Sequence, residues 1–316
     1  MWSIGNEILE QSDKINGERI TNELAMICKQ EDPTRPTTAG FNYYPAPIKN
    51  GLASAIDLVG WNYKPRKYAE ITEQHPNWVI YGSETSSTVS SRGVYHLPIE
   101  KYELHESLQI TSYDIIGPPW AYPPDIEFES LENNPNNLGE FIWTGFDYLG
   151  EPTPYDEMWP SRSSYFGIND LAGLPKDRFY LYRSRWNTKD ETLHILPHWN
   201  WEGREAEIIP VVAYTNAEEV ELFVNGKSFG RKRKGIDKMS IPINFIDWEG
   251  GRYKGTHMSP FRLMWEVPYQ PGSLKVVAYN NGVAVAEKRI NTAGKPAKIE
   301  LIPDRDVLES DGQDIS

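Results

Sequence analysis

The sequence predicts a parallel α/β unit followed by an all-β unit built like an immunoglobulin sandwich. Three observations carry that reading. Up to about residue 190, short apolar segments alternate with helical or irregular stretches, the rhythm of a strand–helix fold. Beyond that point no helical pattern recurs, and short strand-like segments follow one another closely. Two Asn-Gly dipeptides, Asn225-Gly226 and Asn281-Gly282, each interrupt an apolar strand-like segment where a two-residue hairpin turn belongs. A chain of 316 residues has room for two domains and part of a third.

Taken in order, Met1–Ile4 reads as a strand that runs into Gly5-Asn6-Glu7. An amino terminus is usually polar and frayed, so this apolar stub ending in a carboxylate leads us to expect a chain cut from something larger. Ser12–Gln30 reads as a helix because Ile20, Leu24 and Ile27 recur at steps of four and three; Ser12 or Asp13 can cap it, and Pro33 and Pro36 end it. The next strand segments are TTAG (37–40), IDLVGWNY (56–63), WVIYGSE (78–84) and EFIWTGFDYLGE (140–151). The middle two are apolar and bounded by breakers, as expected of strands covered on both faces. Helical material fits between them, for example over Pro124–Asn133. In the second unit EIIPVVAYT (207–215) is a strand, while EVELFVNGKSFG (219–230) and SLKVVAYNNGVAVAEKRI (273–290) are hairpins. The tail KIELIPDRDVLESDGQDIS begins one more strand and stops. The predicted division is 1–187, 188–294 and 295–316, the last being the start of a further β-sandwich module.

Composition narrows the function classes. With 45 acidic and 32 basic residues the net charge is −13, which disfavours nucleic acid, since phosphate binding needs a basic face. The run Arg231-Lys232-Arg233-Lys234 is expected to be a solvated loop. No apolar run reaches the ~18 residues of a membrane span. Cys28, the single cysteine, leaves no internal disulfide framework and no cysteine-based zinc site; among the apolar positions of a predicted helix it is expected to be buried and inert. His194 and His198 have the i, i+4 spacing of zinc ligands, but Pro197 lies between them in a strand-like segment, so both read as structural. No metal or other cofactor is expected. The 11 Trp and 18 Tyr suit a sugar-binding protein, whose rings pack on pyranose faces, and equally a large core.

Chemistry-bearing residues fall repeatedly at the carboxyl ends of predicted strands. Asn6-Glu7 follows MWSIG, Asn62-Tyr63 follows DLVGW, Glu84 follows WVIYGS, and Trp143 and Asp147 lie in the last strand and its exit. In a (β/α)₈ barrel that rim carries the active site. Two glutamates facing each other there form the machinery of glycoside hydrolysis, one protonated to serve the leaving oxygen and the other ionised to attack the anomeric carbon. A lone strand-end glutamate is more often a cap or an ion-pair partner, so the pair gains its meaning from the surrounding motifs.

WSIGNE, YGSETSS, GEFIWTGFDYLGEPTPY and YFGINDLAGLPKDRFYLYRSRW resemble, in order, successive motifs of glycoside hydrolase family 2, in particular the β-galactosidase-like members of Bacteroidetes. HILPHWNWEGREAEIIPVVAYTNAEEVELFVNGKSFG and LMWEVPYQPGSLKVVAYNNG resemble the β-sandwich that follows the barrel in those enzymes. The resemblance covers essentially the whole chain. It implies that Asn6-Glu7 ends the fourth barrel strand, that strands five to eight follow, and that the chain is the C-terminal half of a (β/α)₈ TIM barrel joined to an immunoglobulin-like β-sandwich. It further implies that the two sandwiches and three strands preceding that point are missing, which would leave the fragment alone poorly soluble or inactive.

By the same resemblance, Glu7 is the general acid/base and Asn6 the partner of the sugar 2-hydroxyl. Glu84 is the nucleophile, Tyr63 the hydroxyl that keeps it ionised, and Trp143 the floor of the glycone pocket. Asp147 is divided between sugar binding and a structural role, and Trp61 between pocket wall and core. The implied activity is retaining cleavage of terminal β-galactosyl residues from oligosaccharides. Alternatives are a β-mannosidase or β-glucuronidase of the same family, or an inactive fragment that binds sugar or another protein. Family glucuronidases carry Asn-x-Lys-Gly after the eighth strand, whereas Tyr165-Phe166-Gly167-Ile168-Asn169-Asp170 stands here. The resemblance also implies a periplasmic or secreted parent protein, with homo-oligomers possible.

Overall fold

The computed structural model describes residues 1–13, 15–99, 104–247, 251–303, 305–307 and 312. Five parallel strands form one sheet in sequential order: β1 (Trp2–Asn6), β2 (Thr37–Phe41), β3 (Leu58–Asn62), β4 (Val79–Ser86) and β5 (Asn137–Trp143). The helices α1 (Gly17–Glu31), α2 (Ala46–Lys49), α3 (Tyr68–Gln74) and α4 (Pro124–Glu132) fall in the crossovers, and α5 (Asp177–Trp186) leads out of this unit. All five residues of β2 are buried, and all but the first of β3, because both faces are covered. Ala39, Phe41, Val59, Trp61 and Ile80 share a core with Tyr44, Tyr68 and Ile71.

Several expectations meet the structure differently. The helix predicted from residue 12 begins at Gly17, because the Asp13 carboxylate accepts the Ile15 and Asn16 amides and holds a turn there. Its buried positions are Gly17, Thr21 and Ala25, while Leu24 and Ile27 are exposed. Small residues let α1 lie close to its neighbours, and an added Cβ at Gly17 would meet the Glu10 carbonyl at 2.6 Å. Cys28, expected to be buried, is only half-buried.

The rest of the chain is antiparallel. Strands β6 (Leu193–Leu196), β7 (Ile208–Thr215) and β12 (Leu263–Pro268) form one sheet; β8 (Glu219–Val224), β9 (Lys227–Arg233), β13 (Ser273–Asn280) and β14 (Val283–Asn291) form another. Inward residues of both, among them Val211, Leu222, Trp265 and Val276, share one core. Both Asn-Gly turns have the positive φ at each central residue that the type I′ hairpin requires: Asn225 (50°) and Gly226 (82°), Asn281 (50°) and Gly282 (77°). Of the basic run, Arg231 to Arg233 lie in a strand, and only Lys234 falls in the turn after it. Arg231 and Arg233 lie in β9, where they face Glu219 and Glu221 across the ladder. The predicted further strand after residue 298 is absent among the described residues, and Ile299, Leu301 and Ile302 are exposed. A strand needs a pairing partner to persist. The remainder of that tail lies outside the described residues.

One element was not foreseen. β10 (Met239–Asp247) and β11 (Gly251–Ser259) pair as a separate long hairpin that leaves the sandwich and reaches α4. There Ser259 bonds Asp125, and Arg262 just beyond the hairpin grips both oxygens of the same carboxylate at 3.0 Å from its Nε. Ile243 and Tyr253 of the hairpin, like Tyr63, pack against Tyr122 and Ile126 of the first unit.

Candidate active site

Parallel pairing puts the carboxyl ends of all five strands on one rim. Asn6 is the last residue of β1 and Asn62 the last of β3, while Glu84 of β4 pairs in register with Asn62. Immediately after Asn6 and Asn62 the backbone turns sharply. Glu7 (φ 50°) and Tyr63 (φ 58°) are left-handed, as are Ser86 (64°) and Ser87 (56°) at the end of β4. Such conformations cost on the order of 1–3 kcal/mol each at non-glycine residues and cluster at functional sites. Backbone bonds hold the turns: Glu7 N–H donates to Gly40 O at 3.0 Å and Tyr63 N–H to Glu84 O at 2.9 Å.

The two predicted carboxylates meet at Asn62, which the sequence marks at a strand end without giving it a role. The Asn62 amide nitrogen lies 2.9 Å from Glu7 Oε1 and 3.3 Å from Glu84 Oε2, and it also donates to Asn6 Oδ1 at 3.0 Å. Asn6 in turn donates to Glu84 Oε2 at 3.4 Å. With one nitrogen touching both, the two carboxylate oxygens can be no farther apart than these two bonds laid end to end. The Asn62 carbonyl accepts from Ser83 Oγ at 2.6 Å. Tyr63 donates its hydroxyl to Glu84 Oε1, and the Tyr63 hydroxyl oxygen itself lies 2.9 Å from Ser87 Oγ.

These contacts act in opposite directions on Glu84. Burial pushes its carboxyl up, the Tyr63 hydroxyl opposes that rise, and the Glu7 charge adds to it. The net direction is upward, so the Tyr63 bond tempers the burial but does not overcome it. Tyr63 itself is pushed well above the ordinary tyrosine range, first by burial and then by the Glu84 charge, and stays a donor.

Both carboxylates open into a cavity of about 270 Å³ whose walls include Tyr63, Trp120, Tyr122 and Trp143. Lys64, Arg66, Lys67 and Glu151 also line it. Trp143 thus shares a cavity with Glu7 and Glu84. Trp61 does not line this cavity: it has no exposed surface and packs edge-on against Phe41 (5.9 Å) and Tyr44 (5.7 Å). It precedes Asn62 in β3, so the alternation of the strand turns it to the other face. Asp147 is also absent from the lining. Its carboxylate is bound by Lys176 Nζ at 2.7 Å and by the Gly167 amide at 2.8 Å. His194 Nε2 sits 2.5 Å from Asp177 Oδ1, with Tyr180 stacked on its ring, and takes no part in the cavity. Asn62, noted at a strand end beside Tyr63, carried that signal but no assigned role. Trp120 and Tyr122 stand among the prolines of GPPWAYPPD, a composition that fixes aromatic rings in place without secondary structure.

Residues 206–286 match the family described as Domain of unknown function (DUF4982). A β-galactosidase of Bacteroides ovatus, BoGH2A, is 36% identical across 100% of this chain, which covers 39% of that protein. A putative β-glucuronidase of Formosa agariphila is 29% identical over 95% of the chain and 28% of its own length. Among solved structures, a glycosyl hydrolase family 2 member from Bacteroides cellulosilyticus superimposes with a TM-score of 0.71 at 28% identity, covering 96% of this chain and 36% of that one. A β-glycosidase from Bacteroides vulgatus gives 0.73 at 28% identity, over 96% and 38%. The chain therefore spans less than half the length of each of these relatives. By sequence and by fold alike, it is a homologue of the glycoside hydrolase family 2 glycosidases of Bacteroides.

Proposed function

We propose that this chain carries the reacting carboxylates of a retaining β-glycosidase. Glu84 attacks the anomeric carbon while Glu7 protonates the leaving oxygen; Glu7 then takes a proton from the water that hydrolyses the glycosyl-enzyme. In the same reading β1 to β5 are strands four to eight of a (β/α)₈ barrel within residues 1–187. Residues 188–294 are its immunoglobulin-like companion, and 295–316 open a further module. The protein is periplasmic or secreted.

The observation that carries the mechanism is the single Asn62 nitrogen in contact with both carboxylates. Retaining pairs stand about 5–5.5 Å apart and inverting pairs about 6.5–9.5 Å. A shared donor supports the shorter class, because it leaves no room for a water between the two groups on the opposite side of a sugar. Trp143 supplies an apolar face for the pyranose, and Tyr63 opposes the burial that would protonate the nucleophile.

A β-galactoside is the preferred glycone, supported by the B. ovatus relative. A β-glucuronide is the second reading, favoured by Lys64, Arg66 and Lys67 in the cavity wall and by the relatives named β-glucuronidases. Nitrophenyl β-galactoside, β-mannoside and β-glucuronide, offered to the chain as its gene encodes it, decide between them. The expected result is fastest turnover of the galactoside with retention at the anomeric carbon. Inversion would sink the mechanism, and preference for the glucuronide would replace the glycone.

A further inference from the structure

The Asn62 side chain is fully buried and held from both ends. Ser83 donates to its carbonyl, which commits the NH₂ end to Asn6, Glu7 and Glu84. An amide nitrogen has two hydrogens. Three acceptors surround it here, so one is always left without a full bond. Bonds to ionised acceptors are about twice as strong as neutral ones, so the carboxylate holding the charge wins the hydrogen. Room for this arrangement is made by Gly60 on β3 itself and Gly40 on the neighbouring β2. An added Cβ at Gly60 would lie 2.6 Å from Ser83 Oγ, and one at Gly40 would lie 2.4 Å from Asn6 Oδ1.

Double displacement moves one negative charge back and forth between these two carboxylates. In the first step a Glu84 oxygen bonds the anomeric carbon, the bond to the leaving oxygen breaks, and the Glu7 proton goes to that oxygen. Charge disappears from Glu84 and appears on Glu7. In the second step water gives its proton to Glu7 and its oxygen to the anomeric carbon, and the Glu84 ester bond breaks, which returns the charge. We propose that Asn62, oriented by Ser83 and within reach of both carboxylates at 2.9 and 3.3 Å, is a positioning residue whose amide follows this charge, favouring Glu84 while Glu84 is ionised and Glu7 in the glycosyl-enzyme. The inference rests on the glycosidase reading above. It adds to it a reason why one donor stands between two groups that must be charged in turn, with no rearrangement of the backbone between steps.

The test is a series of aryl β-glycosides of graded leaving-group acidity, offered to wild type, Asn62→Ala and Ser83→Ala in the chain as its gene encodes it. With poor leaving groups Glu7 must take up the charge, and Asn62→Ala should lose about 10- to 100-fold in kcat with KM little changed. With a dinitrophenyl leaving group, which departs without a proton, the loss should shrink, so the dependence on leaving-group acidity steepens. Ser83→Ala should steepen it in the same direction by less, because the freed amide can turn over. An equal loss across the whole series would show that Asn62 is packing alone and overturn the inference. Should Asn62→Ala fail to fold by circular dichroism, the Ser83→Ala slope decides alone, and a slope equal to wild type overturns the proposal. If wild type hydrolyses none of the series, the glycosidase reading itself fails and this inference with it.

Discussion

Tyr63 and Glu84 are joined twice: the Tyr63 amide donates to the Glu84 carbonyl at 2.9 Å, and the Tyr63 hydroxyl donates to the Glu84 carboxylate. The backbone bond fixes where the ring starts, and the left-handed Tyr63 turn swings it back over the rim. A phenol that stays protonated is thereby pinned against a carboxylate that burial would otherwise protonate.

The first prediction follows from that pairing. Burial raises the Glu84 carboxyl and the Tyr63 hydroxyl lowers it, so removing the hydroxyl raises it further. A nucleophile works only when ionised. Tyr63→Phe should therefore move the acid limb of the kcat/KM profile to higher pH, with the largest loss of activity at low pH. A limb that stays in place or moves down would show that the bond does not control ionisation.

The second separates the two glutamates by stereochemistry. With Glu84→Gly the nucleophile is gone and Glu7 remains, so azide entering the vacated space gives an α-glycosyl azide from a β-glycoside. With Glu7→Ala, Glu84 still forms the glycosyl-enzyme from an activated substrate, and azide attacking it gives the β product. The anomers are read by NMR. The same anomer from both variants would reverse or void the assigned roles.

The third contrasts two tryptophans. Trp61 is fully enclosed by the sheet core, and Trp61→Ala should destabilise the fold by about 3–5 kcal/mol in urea unfolding. Trp143 lines the cavity and is half-buried, so Trp143→Ala should lower kcat/KM at much smaller cost in stability. Equal unfolding midpoints for the two variants would contradict this division.

The fourth concerns a buried pair of acids behind the β4 strand. Glu127 of α4 and Glu140 of β5 each have one carboxylate oxygen with no hydrogen-bond partner among the described residues, while Tyr68 serves the other oxygen of Glu127 and Thr85 that of Glu140. Burial pushes the Glu140 carboxyl up from 4.5 to about 7, and Glu127 rises as well through burial and the Glu140 charge. The folded chain then holds protons that the unfolded chain releases, so stability is greatest at low pH and falls as pH rises from about 4.5 through about 7. Glu140→Gln removes that proton exchange. The drop in melting temperature between about pH 5 and about pH 8 should be smaller in the variant; an equal or larger drop would show that the pair is not the source.

Much of this was legible because it is local or periodic. Asn225-Gly226 and Asn281-Gly282 announce hairpins since few other residues accept two consecutive positive φ angles. The apolar segments around Val59 and Ile80 announce strands covered on both sides. Glu7, Tyr63, Glu84 and Trp143 stand at strand ends, and parallel pairing brings strand ends together whatever lies between them. Less legible were choices between faces. Ile20, Leu24 and Ile27 mark a periodic helix, but the face that packs is that of Gly17, Thr21 and Ala25, because close approach outweighs side-chain apolarity there.

The sequence alone determined where the strands of the first unit fall along the chain, the two Asn-Gly turns and the strand-end positions of Glu7 and Glu84, because each is set by neighbours along the chain. Only the tertiary structure decided what surrounds those glutamates. It placed Asn62 between them and Ser83 behind Asn62, turned Trp61 inward and Trp143 outward, tied Asp147 to Lys176, and brought Tyr253 from a distant hairpin against Tyr122 and Ile126. These are contacts between residues far apart in the chain, and their energies depend on burial and on the number of donors within reach. No local pattern of residues encodes either quantity.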